Sequence, residues 1–281
     1  MRLSNVLLVL TAAAANAQRP ADVSMCDYYT KTLLGKDNTP ENQLLLVTLL
    51  VNTVILGNYT TPNVGIAVPG LLAPAVVNGQ DVNLLPYFSG EYATTNRGDC
   101  QGAAVSFLDG GGPAPLLQNK PADDETSNQY FLITHLYHYF GALLGCSFQG
   151  YPAFPAYAGA ASMYQVHKFM DLNYAQNKYF IDQHVVAAES LGFSSADSKS
   201  FSDNLYSIFA VRCGGPTSII KTQGPQLQST CLADDCPAAD DSECNLYPSN
   251  GESSDNFAKA APSQRSVKEC NEEDCRKHLE L

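Results

Sequence analysis

The chain has 281 residues, 45% of them hydrophobic, and a formal net charge of −12. That length supports one large or two small domains with a sizeable core. The acidic balance argues against nucleic acid and anionic membrane surfaces as partners, because both need basic patches.

Taken in order, residues 1–17 have the pattern of a secretory signal: Arg2, a short apolar run, and Ala15-Asn16-Ala17 as the cleavage site. The run is too short to span a bilayer, as is the later LLLVTLLVNTVILG stretch. A secreted, extracellular protein is therefore expected, and its nine cysteines are read as disulfide formers. Asn58-Tyr59-Thr60 is a glycosylation sequon. A brief helix is expected over 26–34. A second is expected to start with Thr39 as cap and Pro40 at its first position, and to be apolar on nearly every side through residue 57. Residues 58–81 are rich in Gly, Pro and Val and read as loop, or as short extended pieces with turns at Pro69-Gly70 and Asn78-Gly79, and the segment has room for a small hairpin. Gly110-Gly111-Gly112 lacks the Lys-Ser/Thr of a phosphate loop and reads as a flexible, lid-like loop.

Residues 127–213 are the organised centre, with three apolar segments of helical period and four of the five histidines. In the first, Phe131, Leu132, Leu136, Tyr139, Phe140 and Leu143 form one face, and Gly145 and Cys146 end it. A short helical turn then delivers Val166 and His167. Asn173 is placed as the cap of the next helix, which stops near Gly192, and Ser195 or Asp197 as the cap of the last. His138 is assigned to packing or the surface and His184 to a polar helix face. Neither a GxSxG elbow nor a papain-like cysteine context is present, so no hydrolase triad is assembled from the sequence.

The order "YHYFGALLGC", "YAGAASMYQVH", "LN" resembles the second half of the truncated haemoglobins. The resemblance covers about 85 residues well, and 42–58 and 82–90 weakly. It implies an all-α fold, a globin-like two-on-two helical sandwich with long loop insertions and a disulfide-bearing tail. It also implies haem b as cofactor, with His167 as proximal iron ligand and Met163 and Val166 beside it. Leu132 and Leu136 fall at distal-pocket positions, with Tyr139 and Phe140 as the aromatic pair. Val82 to Phe88 matches a step that covers one haem edge. His135 matches the place of a second, distal iron ligand in some cyanobacterial members, or of a hydrogen-bond donor to the bound gas. The partner implied is a small diatomic ligand such as oxygen, with haem redox chemistry as the other use. Insertions at about 60–80 and 97–126, and one extra residue between Tyr157 and His167, depart from the family pattern.

The domain reading is a leader at 1–17, a globin-like helical domain at 26–220, a cysteine-containing appendage at 221–245 and an acidic, disordered tail at 246–281. A Cys146–Cys213 bridge is expected to clamp two helix ends. The competing functional reading is a haem-free secreted interaction or structural protein on the same scaffold.

Overall fold

Short polar side chains set where the helices begin. The computed structural model describes residues 18–98 and 101–247. The expected leader, Cys100, Cys270, Cys275 and residues 248–281 lie outside the described residues. Ser24 caps α1 (Met25–Thr32) through the Asp27 amide. Thr39 caps α2 (Pro40–Leu56) through the Asn42 amide, as expected. Every residue of α2 from Leu46 to Ile55 is buried, so this helix is surrounded by the rest of the chain. The buried amide in this stretch is satisfied on both sides: Asn52 Nδ2 donates to the Leu116 carbonyl at 3.0 Å, and Tyr137 Oη donates to Asn52 Oδ1 at 2.7 Å.

After α2 the chain folds back on itself at Gly57 and Gly70. Both have positive φ, and a Cβ on either would run into backbone of the other's segment. This holds Leu71 against α2, and Tyr179 Oη donates to the Gly70 carbonyl at 2.8 Å from the other side. Asn78 and Gly79, with φ of 52° and 80°, make the tight turn between β1 (Ala75–Val77) and β2 (Gln80–Val82). There follow α3 (Leu85–Ser89), a second antiparallel ribbon of β3 (Thr95–Gly98) and β4 (Gln101–Ala103), and α4 (Pro113–Leu116).

The central helices come next. Ser127 caps α5 (Asn128–Leu143). The short α6 (Met163–His167) runs into a 3₁₀ turn over Lys168–Met170. Asn173 and Gln176 form a capping box on α7 (Tyr174–Leu191), which ends on Gly192 in the left-handed region. Ser194 caps α8 (Ser195–Phe209), one residue before the expected Ser195, because its hydroxyl accepts the Asp197 amide at 3.2 Å. Helix α7 packs against both α2 and α8, and α2 against α5.

Several expectations are corrected. The fold is not the all-α, globin-like two-on-two sandwich: two antiparallel ribbons stand between α2 and α5, and several helices are only one turn long. The glycine run is a packed corner, since Gln129 exchanges hydrogen bonds with the Gly112 amide and carbonyl at 2.8 and 2.9 Å. A Cβ on Gly110 would lie 2.4 Å or so from atoms of the α5 entry, hence glycine there.

The Cys146–Cys213 pairing is also overturned. Cys26 joins Cys146, Cys213 joins Cys244, and Cys231 joins Cys236. Cys146 leaves α5 beside α1, where the Cys26 amide donates to the Leu144 carbonyl at 3.1 Å, so α1 supplies its partner. The 221–245 segment lies against the helical body: the Leu232 amide donates to the Leu172 carbonyl, and Gln228 bridges Tyr139 Oη and the Ala161 carbonyl. The expected tail start at 246 falls too early, because Tyr247 is buried and its hydroxyl donates to the Gly214 carbonyl at 2.6 Å.

Three disulfides fit an extracellular protein, and among the described residues no helix is long and apolar enough to cross a membrane. Asn58 is exposed, and its Oδ1 accepts the Val68 amide at 2.6 Å, which leaves Nδ2 for a glycan. Chain recovered from a eukaryotic secretory host is expected to carry one N-linked glycan on the Asn58 peptide. Peptide mass mapping with and without glycosidase, and an Asn58→Gln variant, checks this. An unmodified Asn58 peptide is the contrary result.

Candidate functional site

The apolar faces of α2, α5, α6 and α7 leave a gap where they meet. The gap is a cavity of about 250 Å³. Val51, Val54 and Ile55 of α2 form one wall and Leu71, Leu84 and Tyr87 of the inserted loops another. All nine residues singled out from the sequence line it: Phe88, Leu132, His135, Leu136, Tyr139, Phe140, Met163, Val166 and His167. The lining is apolar but for a few amides, hydroxyls and imidazoles, and it holds no carboxylate, lysine or arginine. Its amides and hydroxyls include Asn177 and Thr230, which bond to each other at 2.7 Å.

His167 stands at the last position of α6, and Ser162 caps that helix through the Gln165 amide. The turn after it is tied down by Tyr87, whose hydroxyl donates to the Met170 carbonyl at 2.9 Å. His167 is half-buried and lines the cavity. Its Nδ1 is buried with no hydrogen-bond partner. Burial pushes its pKa down to about 4, so the ring is neutral at physiological pH. With Nδ1 buried, a ligand in the cavity would therefore meet the ring at its other nitrogen, Nε2.

His135 lies at the rim. Its ring packs on Phe131 at 4.0 Å and meets Tyr157 edge-on at 5.6 Å. Gly159 makes this arrangement fit: a Cβ there would come within 2.6 Å of His135 Cδ2 and 2.5 Å of Tyr157 Oη. His135 Nδ1 lies 2.6 Å from the Phe131 carbonyl. A carbonyl only accepts, so a proton sits on Nδ1, and in the neutral ring Nε2 carries the lone pair. That suits a metal ligand.

His184 is the residue that sequence reasoning misplaced. It is not on a polar face: it is 2% exposed, on α7, and lines the cavity. Its ring stacks on Phe140 at 4.4 Å with 20° between planes, and packs on Phe180 at 4.4 Å. Its Nδ1 lies 2.8 Å from the Phe180 carbonyl, the same i to i−4 arrangement as in His135. The signal that could have found it is the repeated "F-x-x-x-H" of residues 131–135 and 180–184. His138 is half-buried and faces away from the cavity, as expected. Among the described residues no three His, Cys, Asp or Glu side chains come together to hold a metal ion unaided.

No protein-family model, curated protein or solved structure matches this chain. The resemblance to truncated haemoglobins therefore rests on its motif residues alone, and the sandwich fold it implied is not the one found.

Proposed function

We propose that the protein is a secreted haem-binding protein in which His167 is the axial ligand to the iron. One observation carries the reading: the imidazole of His167, kept neutral by burial, stands in the wall of an apolar cavity of about 250 Å³. The chemistry of the lining fits the group, and the walls must part to admit it, since the cavity holds about 250 Å³ where ligand pockets run to roughly 300–1,000 Å³. A porphyrin needs broad apolar and aromatic walls, which Leu132, Leu136, Tyr139, Phe140, Met163, Val166 and Phe88 supply. Its iron needs one strong nitrogen ligand, and three separate imidazoles border the space.

When bound, haem iron supplies coordination of a diatomic ligand or one-electron redox chemistry. The chain's own work is to exclude water, to hold His167 neutral by burial and to fix its position between the Ser162 cap and the Tyr87–Met170 bond. His135, with its proton held on Nδ1, is the second candidate ligand.

Titrating the purified protein with hemin tests the reading. The expected result is an intense Soret band that saturates at one hemin per chain. A spectrum equal to free hemin at every ratio would overturn it.

A further inference from the structure

Two facing helices repeat one device. On α5 and on α7 a histidine gives its Nδ1 proton to the carbonyl four residues earlier, that of Phe131 or of Phe180. This fixes the tautomer of each ring and leaves Nε2 as an acceptor. His135 sits at the rim, whereas His184 is 2% exposed, with its plane held by Phe140 and Phe180. A neutral side chain this buried, stacked and tautomer-locked presents one fixed lone pair. The other titratable side chains around the same cavity are His135, His167, Tyr87, Tyr139 and Tyr157, with no lysine or arginine among them.

We propose that His184 is a ligand-contacting residue that accepts a hydrogen bond from the cavity's small-molecule occupant. The site thereby favours protic molecules, those that keep an N–H or O–H when bound, over aprotic ones such as carbon monoxide. The proposal rests on the haem reading and names the ligand class of that site. The polarity follows from the tautomer: a ring able only to accept gains nothing from a ligand able only to accept, and a bond formed away from water is worth about tenfold in affinity or more.

Imidazole and 1-methylimidazole are a suitable probe pair. Both offer the same type of nitrogen to iron, but only imidazole carries an N–H. Their affinities for the hemin-loaded protein give a ratio in which any internal competitor for the iron cancels. That ratio is expected to favour imidazole in the wild type, to fall about tenfold in His184→Leu, and to be largely kept in His184→Gln, whose amide oxygen still accepts. A ratio unchanged in His184→Leu would overturn the proposal while leaving the haem reading intact, and absence of hemin binding would remove both. A second readout needs no haem. Ring nitrogen NMR of the haem-free protein is expected to show His184 with its proton on Nδ1, and a proton on Nε2 would equally overturn the proposal.

Discussion

A chain lacking the Cys26–Cys146 bridge, made by Cys26→Ala with Cys146→Ala, is expected to lose about 2–5 kcal/mol of unfolding free energy. The bridge joins α1 to the end of α5 across a sequence separation of 120 residues. Cross-linking a loop of that length removes more freedom from the unfolded chain than a short one does. Both sulfurs are buried, so packing is lost as well. Cys231–Cys236 spans five residues and is the internal control: its removal is expected to cost less, since loop closure contributes little there. Denaturant unfolding of both double variants decides the order. Equal or reversed costs, or a non-reduced peptide map that joins Cys146 to Cys213, would contradict the account.

Acid is expected to destabilise the haem-free protein well above the carboxylate range. Burial lowers His167 and His184 to about 4, against an ordinary value of 6.5 in the unfolded chain. Groups with a depressed folded pKa leave the unfolded state binding more protons between those two values. The stability is therefore full above about pH 6.5 and is lost as pH falls toward about 4. For each of these two rings the loss between pH 7 and pH 5 is about 2 kcal/mol. His138 is shifted the same way, by burial and then by His135, but it keeps contact with solvent and contributes less. Unfolding midpoints at pH 7 and pH 5 check this, with His184→Leu expected to flatten the difference by about half. A stability that is level from pH 7 to pH 5 would show that these rings titrate normally.

What the sequence disclosed was local. Thr39, Asn173 and Gly192 act on their own helix ends, and each sits where a cap rule places it. Asn78-Gly79 announces its turn because few other residues adopt two consecutive left-handed conformations. The cavity wall was legible from the motif residues around Tyr139 and His167, which all face one space. What escaped was long-range. Nothing in the sequence says that Cys146 meets Cys26 rather than Cys213. His184 was assigned to solvent because α7 was read as having one apolar stripe. In fact α7 is covered on several sides and buries Asn177, Gln183 and His184 as well. The β3–β4 ribbon lies in a stretch for which the sequence reading gave no strand, and with it and the β1–β2 hairpin the all-α sandwich fails.

The central claim is that His167 holds the iron, and chemical rescue of His167→Gly tests it most directly. Removing the imidazole leaves the other cavity walls in place and opens room for a free imidazole. The variant loaded with hemin is expected to lack the wild-type Soret and visible bands, and to regain them when free imidazole is added. A His167→Gly variant whose haem spectrum equals that of the wild type without added imidazole would contradict the account.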